Sequence, residues 1–458
     1  MRSRLPLLVF LLGICAPGFG AIPIMPGTPL PEERDTHGSA VVGNRLFVVG
    51  GCVTKEWRAT ASVKSAVINP DRTIGPWTDS TPLPRRTVYI GTSVVANQNR
   101  LYVVGGQHRA DENAGDQGDK RPIHTALFTT VNPDGTLVPW RESGAWDPTA
   151  GYLSSAAAVN SRTLYVSGGG TQDDTPSKRV FMSPLSASGE PGAWVEATPL
   201  PVGLWFHQMA IHGETLFALS GRSSPRSDGQ NIRVFRNRIL ADGTLGIWEM
   251  LEGDNPSSTF QGAYTSTGNY VFGIGGKDRN WFLVDKVTFG RLSPAGINDW
   301  QTISAAPLKL ERAAAAASGE FGALYITGGR TGVDYRTMSA GVSIVPLKKD
   351  SELVPTLSPD YNCMLPYEAA LSRIRETGGR ILLLSVSAGS ERTTAFAREF
   401  CQMPVEPGVQ RAYLVLSQST EEARRFRLLQ AGLIVEIDAQ EKVLRRTTEP
   451  YTTTLQEF

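Results

Sequence analysis

The chain has 458 residues, and its 45 basic and 44 acidic side chains leave a formal net charge of +1. That balance argues against a nucleic-acid-binding protein, which normally carries a clear basic excess. Charged residues make up 19% of the chain, whereas 47 residues are glycine and 30 are proline. This composition is typical of many short strands joined by turns, and the length allows two or three domains.

The N-terminus has the pattern of an export signal. A basic start at residues 1–4 precedes a short apolar run at 7–14 and small residues at 18–20. The apolar run is too short to span a bilayer, so we predict a signal peptide over residues 1–20. An uncleaved anchor is the alternative, and a lipid anchor on Cys15 is disfavoured by Ile14 before it. The mature protein is therefore expected in the periplasm, at the cell surface or outside the cell.

The cysteines and histidines give no sign of a metal or redox centre. Cleavage leaves Cys52, Cys363 and Cys401, an odd number whose spacing matches no zinc or redox motif. We predict that they are small buried residues with at most one disulfide. The histidines show no metal-ligand spacing, so we expect neither a metal nor another cofactor. They stand at His37, His108, His124, His207 and His212.

One sequence motif recurs along the chain. It is an apolar alternating stretch that ends in glycine, usually in two consecutive glycines. The copies lie roughly 50–60 residues apart, which is the spacing of a repeat protein. They occupy residues 46–51, 101–106, 164–169, 216–221, 270–276 and 324–329. We predict that the glycines end an inner strand of each unit, where backbones crowd and no side chain fits.

A second motif alternates with the first. It is a turn-rich stretch that ends in a tryptophan. Asn-Pro and Asp-Gly pairs in these stretches favour tight turns. The tryptophans are Trp77, Trp140, Trp194, Trp248 and Trp300. Each unit is therefore predicted to have four strands, which in the first unit run near 37–42, 45–50, 62–69 and 75–81.

This unit resembles the kelch repeat, over about residues 22–348. The resemblance implies a mainly β fold, a six-bladed propeller in which each tryptophan packs between neighbouring blades. The sixth unit lacks its last strand, but Thr-Pro-Leu-Pro at 28–31 precedes Gly38 as the same motif at 81–84 precedes Gly91. Ile24 then occupies the tryptophan position. We predict that residues 22–30 supply the outermost strand of the last blade and close the ring. An open solenoid is the alternative.

The pattern changes after Leu347, where a polar, proline-containing linker begins. Helices are predicted at 368–377, 391–400 and 420–429, and strands at 380–386, 412–417, 433–437 and 442–446. Their order resembles the thioredoxin fold, but the position of its Cys-x-x-Cys motif holds no cysteine, so we predict a non-redox α/β domain. Another three-layer α/β fold is the alternative. The predicted segments are a signal peptide (1–20), a propeller (21–348), a linker (349–362) and the α/β domain (363–458).

The loops that follow the double glycines are the predicted ligand-binding elements, because a propeller binds at the mouth of its central channel. Five of the six loops carry an arginine, and an arginine fork binds carboxylates through two N–H donors. The candidates are Arg58, Arg109, Arg222, Arg279 and Arg330. A sugar acid or an acidic glycan would fit them. The alternative is that these arginines are solvated loop charges.

Four further candidates lie just before first strands, near the predicted axis. They are His37, Tyr89, Trp205 and His207. Aromatic faces beside polar groups suit carbohydrates, but arginine and histidine at these positions also occur in kelch repeats as structural hydrogen-bonding residues. Both interpretations stay open.

Two function classes follow from these features. The first is an exported binding or interaction module, whose partner is an unidentified protein or glycan at the propeller face. The second is a carbohydrate-active enzyme, because some secreted six-bladed kelch proteins epimerise sialic acid (N-acetylneuraminate). The sequence has no nucleotide-binding loop and no G-x-S-x-G nucleophile motif, which favours the binding module. A scaffold in which the C-terminal domain binds the partner is a third possibility.

Overall fold

A computed structural model describes most of the first 347 residues and several shorter stretches beyond them. The described ranges are 24–53, 58–109, 120–224, 229–252, 255–304, 309–331, 337–347, 365–366, 370–371, 375, 380–386, 409–415 and 434–446. The predicted signal peptide, the start of the predicted propeller at 21–23 and the linker lie outside these ranges.

Six antiparallel four-stranded sheets, which we call blades 1 to 6, follow one another along the described chain. Blade 1 comprises Gly38–Val42, Arg45–Val49, Val63–Val67 and Thr78–Ser80; blade 2 comprises Val94–Asn97, Arg100–Val104, Ala126–Thr130 and Arg141–Glu142; blade 3 comprises Ala156–Val159, Thr163–Ser167, Val180–Pro184 and Val195–Ala197. The predicted strands of the first unit match those of blade 1 to within a few residues.

The second half of the ring repeats this order, and only blade 6 takes a strand from elsewhere. Blade 4 comprises Gln208–His212, Thr215–Leu219, Val234–Arg238 and Glu249–Met250; blade 5 comprises Ala263–Ser266, Tyr270–Ile274, Lys286–Ser293 and Gly296–Ser304; blade 6 comprises Ala314–Ser318, Ala323–Thr327, Val342–Pro346 and Met25–Pro26. The order within each sheet is the order along the chain, apart from that last strand.

The first strand of each blade lies beside the first strand of the next, and blade 6 returns to blade 1. These six strands therefore surround the axis of a closed propeller. Apolar side chains fill the spaces between blades: Phe47 and Val49 of blade 1, for example, pack with Leu101 and Val103 of blade 2 around Leu83. The continuous apolar run at residues 46–49 has its cause here, because both faces of that strand are covered and all four side chains are buried.

The glycines follow the second strand of each blade, as predicted, and blade 4 has a single glycine, Gly221, at this place. They turn the chain where it approaches the neighbouring blade. Gly50 and Gly51 have φ values of +57° and +92°, in the left-handed region that side chains disfavour. A Cβ on Gly51 would also lie 2.5 Å from the carbonyl oxygen of Asp35 and 2.6 Å from the Cβ of His37. Conformation and space both require glycine here.

The closure of the ring by the N-terminal segment is confirmed. Met25 and Pro26 pair antiparallel with Ile344 and Ser343 as the fourth strand of blade 6. The proline is tolerated because this is an edge strand. Leu30 is buried in the apolar core shared by blades 6 and 1. Residues at the start of the described chain thus complete a blade that the chain otherwise leaves with three strands.

The Thr-Pro-Leu-Pro motifs join consecutive blades through paired hydrogen bonds. The indole Nε1 of Trp140 donates to the carbonyl of Thr81 at 3.0 Å, and the hydroxyl of Thr81 donates to the carbonyl of Leu137 at 2.9 Å. Trp248 and Thr198 make the same arrangement between blades 3 and 4. The tryptophans of the turn-rich motif and the threonines of the Thr-Pro-Leu-Pro motif therefore have structural roles.

The described residues beyond 347 include five strands in one sheet. Their spatial order is Leu365–Pro366, Val409–Val415, Arg380–Val386, Ile434–Asp438 and Val443–Arg446. The first three are parallel, and the last two form an antiparallel hairpin against Arg380–Val386. Strands occur close to all four positions predicted from the sequence.

The helices predicted for this part are not supported. Of the three predicted helices, only Ala370, Leu371 and Arg375 belong to the described residues. No helix with both of its ends among the described residues is present. The α/β class that the sequence predicts is therefore unsupported. Among the described residues, none belongs to a helix of the length and hydropathy that a membrane crossing requires.

Candidate binding site at the propeller axis

Six residues, one from each blade, form a ring around the axis just before the first strands. We call them the axial ring: Thr36, Tyr89, Ser154, Phe206, Gln261 and Arg312. None is a glycine, yet each has φ between 49° and 59°. A non-glycine residue in this conformation is disfavoured by roughly 1–2 kcal/mol. The six-fold occurrence shows that the propeller imposes the conformation, and strained residues of this kind often cluster at functional sites.

Main-chain hydrogen bonds tie the axial ring together from blade to blade. The backbone N–H of Thr36 donates to the carbonyl of Arg312 at 3.0 Å, and that of Arg312 donates to Gln261 at 2.6 Å. Phe206 donates in the same way to Ser154 at 3.0 Å. Because these backbones are fixed, the ring holds six side chains of different chemistry in set positions at one end of the channel.

The axial ring lines a small, partly open cavity. Gly91, Thr92, Gly262, Tyr264 and Ala313 complete its wall. The guanidinium of Arg312 lies over the ring of Tyr89, 5.7 Å from the ring centre. The cavity therefore offers one cation, three hydrogen-bonding side chains (Thr36, Ser154 and Gln261) and aromatic surface, a combination typical of small-ligand sites.

A second layer, which we call the belt, surrounds the axial ring. In each blade the residue before the axial ring pairs with the residue after the glycines. The pairs are Asp35 with Cys52, Val88 with Gln107, Leu153 with Gly170, Trp205 with Arg222, Phe260 with Lys277, and Glu311 with Arg330. In blades 1 and 2 the pairs extend into small sheets, formed by Arg34–Asp35, Cys52–Val53 and Arg58–Ala59, and by Thr87–Val88, Gln107–Arg109 and Lys120–Pro122.

Two buried ion pairs in the belt connect blade 6 to both of its neighbours. Lys277 Nζ of blade 5 lies 2.5 Å from Glu311 Oε2, and Arg330 of blade 6 pairs with Asp35 of blade 1. Burial raises the pKa of the Asp35 carboxyl, an effect that the Arg330 charge opposes. Both carboxylates are 0% exposed, so they cannot reach a molecule in the cavity.

The belt is cationic on this side of the axis. Arg222 has three aromatic rings around its guanidinium, which lies 4.8 Å from the ring centre of Phe260 and 4.7 Å from that of Trp281. Trp205 supplies the third ring at 5.9 Å. With Arg312 and the two ion pairs, blades 4, 5, 6 and 1 bring together four cations and two carboxylates. Their field favours an anion in the cavity.

The five arginines predicted to bind ligand differ in their exposure to solvent. Arg109, Arg222 and Arg330 are buried, because the residues after the glycines fill the space between blades. Arg58, in the short strand Arg58–Ala59, and Arg279, in a turn, are exposed. None of the five lines the axial cavity. The neighbouring loop residues Lys55 and Arg226, and positions 110–119 of the longest loop, lie outside the described residues.

The two histidines among the predicted site residues are fully buried between blades. His37 Nε2 shares a hydrogen bond with Thr327 Oγ1 at 2.9 Å, and His207 Nε2 shares one with Ser167 Oγ at 2.8 Å. Burial lowers the pKa of each imidazole to about 3. Neutral, buried and hydrogen-bonded, they have the geometry of structural residues.

The other two predicted residues lie at or beside the cavity. Tyr89 is a member of the axial ring, and Trp205 stands in the belt next to Phe206. Sequence reasoning singled out neither Thr36 nor Gln261, because the axial ring has no common residue type. A signal was available: all six positions lie fifteen or seventeen residues before the last glycine of the repeated motif, so an alignment of the repeats would have put them in one column.

Cys52 is a free, buried thiol in the belt. Burial and the nearby Asp35 carboxylate raise its pKa to about 12, so it is not a thiolate at neutral pH. Cys363 and Cys401 lie outside the described residues. Within the part of the chain that the structure describes, no three histidine, cysteine, aspartate or glutamate side chains are grouped as metal ligands would be.

Comparison with known proteins supports a kelch-type propeller. No protein-family model matches the chain. It is 26% identical over 174 residues (37% of the chain) to Kelch repeat and BTB domain-containing protein 12 of Danio rerio, and 25% identical over 198 residues (41% of the chain) to Kelch-like protein terF of Aspergillus terreus. The chain spans only 26% and 39% of the length of these relatives.

The solved structure of YjhT shares the fold. It matches with a TM-score of 0.52 and 14% sequence identity, over 71% of this chain and 98% of YjhT. At that identity the likeness concerns the fold alone. Together with the weakly similar kelch proteins, it supports a propeller of kelch type.

Proposed function

We propose that this chain is an exported recognition protein whose propeller binds a small carboxylated ligand, an acidic sugar, in the axial cavity. The observation that carries the proposal is the position of Arg312, which lines the axial cavity together with Gln261 and Thr36. A guanidinium binds a carboxylate through two parallel donors. The surplus of positive charge in the adjoining belt adds a field of the right sign.

The remaining members of the axial ring suit a sugar better than a simple anion. Tyr89 and Phe206 offer aromatic surface, and Ser154 can exchange hydrogen bonds with hydroxyl groups.

Recognition is favoured over catalysis by the state of the nearby carboxylates. An isomerase that exchanges protons needs an acid or base within hydrogen-bonding reach of its substrate. Among the described residues, Asp35 and Glu311 directly precede members of the axial ring, and both are buried in ion pairs. These two carboxylates hold blades together, and neither lines the cavity.

The experiment is a calorimetric titration with N-acetylneuraminate, glucuronate and galacturonate, each compared with the neutral sugar N-acetylglucosamine, glucose or galactose. We expect at least one acid to bind and its neutral counterpart not to bind. Arg312→Gln should abolish that binding, whereas Arg238→Gln, at the far end of a blade 4 strand, should leave it unchanged. Absence of binding by all three acids would refute the proposal. Proton exchange of the bound sugar with D₂O, followed by NMR, would instead favour the isomerase.

Export and the C-terminal unit complete the proposal. The N-terminal pattern supports cleavage after Gly20, which N-terminal sequencing of protein secreted by a bacterial host would test. A start at Ala21 is expected, and a start at Met1 would contradict export. The mixed sheet of parallel strands and a terminal hairpin supports a thioredoxin-like unit without redox chemistry. Loss of the Arg380–Glu436 pair (2.7 Å) in Glu436→Gln should destabilise this unit and leave sugar binding unchanged.

A further inference from the structure

Two large aromatic side chains stand exposed at the tip of the blade 5 loop. Trp281 is 38% exposed and Phe282 is 69% exposed. Single exposed apolar residues are ordinary, whereas two adjacent exposed aromatic side chains form a small apolar patch on the surface. We call this pair the aromatic platform.

The loop holds the platform in one conformation. The carboxylate Oδ1 of Asp278 accepts hydrogen bonds from the backbone N–H groups of Asn280 and Phe282, at 2.8 and 3.0 Å. The backbone N–H of Trp281 donates to the carbonyl of Asp278 at 3.0 Å, and Trp281 adopts a left-handed φ of 65°. A bulky residue stays in that conformation only when its surroundings determine it. The platform is therefore preorganised, which lowers the entropic cost of binding.

The platform adjoins the axial cavity. The ring of Trp281 meets the ring of Phe260 edge-on, with 5.0 Å between centroids. Phe260 directly precedes Gln261, a member of the axial ring. The guanidinium of Arg222 lies over both Trp281 and Trp205, and Trp205 directly precedes Phe206 of the axial ring. Trp281 therefore contacts Phe260 directly and Trp205 through Arg222, and each of these two residues immediately precedes a residue that lines the cavity.

We infer that the aromatic platform binds a second sugar ring, so that the ligand is a glycoside with its acidic residue in the axial cavity. This inference rests on the proposed function. A sugar ring has an apolar C–H face that packs on an aromatic ring and a rim of hydroxyls that need polar partners. The exposed side chains of Arg279 and Asn280 flank the platform and supply such partners.

A protein partner fits this surface less well. Stable protein interfaces need about 800 Å² from each partner, with an apolar centre. The platform is only two side chains wide and is bordered by Asp278, Arg279 and Asn280. Its size and mixed polarity match one sugar ring.

The test compares free acids with glycosides that end in the same acid. The probes are N-acetylneuraminate with sialyllactose, and galacturonate with digalacturonate, titrated by calorimetry into the full chain. For the acid that binds, we expect the glycoside to bind at least about tenfold more tightly. Trp281→Ala and Phe282→Ala should remove that gain and leave the affinity for the free acid within about twofold. Ile247→Ala, at an 84% exposed apolar position on blade 4, is the control and should change neither.

Three outcomes decide the matter. A gain for the glycoside that both platform variants lose supports the inference, and Trp281→Phe should keep most of it. Equal affinity for acid and glycoside, with no effect of either variant, overturns the inference and leaves the proposed function standing. Failure of every acid and glycoside to bind overturns both. Melting curves of the variants guard against misfolding, which is not expected for Phe282→Ala because that side chain is largely exposed.

Discussion

The indole Nε1 of Trp77 donates a hydrogen bond to the carbonyl oxygen of Thr28, at 2.9 Å. The hydroxyl of Thr28 in turn donates to the carbonyl of Ile74, at 2.8 Å. Thr28 lies two residues after the strand that completes blade 6, whereas Ile74 and Trp77 belong to blade 1. This reciprocal contact therefore fastens the closing strand to the first blade, and it repeats the contact that joins Thr81 to Trp140 one blade later.

Removing the Thr28 hydroxyl is expected to weaken the closure by a single hydrogen bond. Thr28→Val should lower the free energy of unfolding by about 1 kcal/mol, and Thr81→Val should have a similar effect. Deleting residues 24–31 should lower the melting temperature by at least about 10 °C, because a strand and the buried Leu30 side chain are lost together. Urea and thermal denaturation measure both effects. An unchanged melting temperature after the deletion would rule out the closure.

Breaking the Arg330–Asp35 ion pair is expected to lower the free energy of unfolding by a larger amount. Asp35→Asn leaves a buried guanidinium without its counter-charge, which should cost about 3–5 kcal/mol of unfolding free energy. The double variant Asp35→Leu, Arg330→Met removes both charges and should lose less than the two single changes combined. The control is Glu214→Gln, which breaks the exposed pair with Arg162 and should cost less than about 1 kcal/mol. Chemical denaturation that finds Asp35→Asn as mild as Glu214→Gln would contradict this account of the belt.

His207 predicts a pH dependence with a definite sign. Its pKa is lowered to about 3 in the fold and returns to its ordinary value, near 6.5, when the chain unfolds. Between pH 6.5 and 3 the unfolded state therefore binds the extra proton, and stability falls as the pH falls. The slope contributed is about 1.4 kcal/mol per pH unit.

The slope is measured by urea denaturation at several pH values in this window, for the natural chain and for His207→Gln. The difference between the two isolates His207 from other groups, including Asp35, whose raised pKa acts in the opposite direction. We expect the variant to show the smaller loss on acidification. Identical slopes would mean that His207 is protonated or exposed in the folded protein.

Because the axial ring has a left-handed conformation, we expect glycine substitutions at two adjacent serines to change the stability of the protein differently. Ser154 has a φ of 49°, whereas its buried neighbour Ser155 does not have a positive φ. Ser154→Gly relieves the strained conformation, but Ser155→Gly only adds freedom to the unfolded chain. We expect Ser154→Gly to be the more stable of the two by about 1–2 kcal/mol. The reverse order in chemical denaturation would count against the strained ring.

The repeat made the propeller predictable, and the reasons are local. Each unit carries its turn pairs, its tryptophan and its glycines within a stretch short enough to be compared by eye. The early Thr-Pro-Leu-Pro motif revealed the closure because Thr28 repeats the role of Thr81. These residues serve the same purpose in several blades, so their types recur.

The binding site was predictable only in part, because its residues differ between blades. Thr36, Gln261 and Arg312 occupy equivalent positions without sharing a residue type, and nothing in their identities signals a left-handed backbone. The loop arginines drew attention because charge is conspicuous in a sequence. Arg330 and Arg222 turned out to be buried, since the pairing after the glycines directs those side chains between blades, and that depends on contacts far apart in the chain.

The most direct test is a crystal structure of the full chain with the sugar acid that binds best in the titrations. The account predicts the carboxylate within hydrogen-bonding distance of the Arg312 guanidinium, inside the cavity that Tyr89 and Gln261 line. Electron density for the acid at the exposed arginines Arg58 or Arg279, with an empty axial cavity, would contradict it.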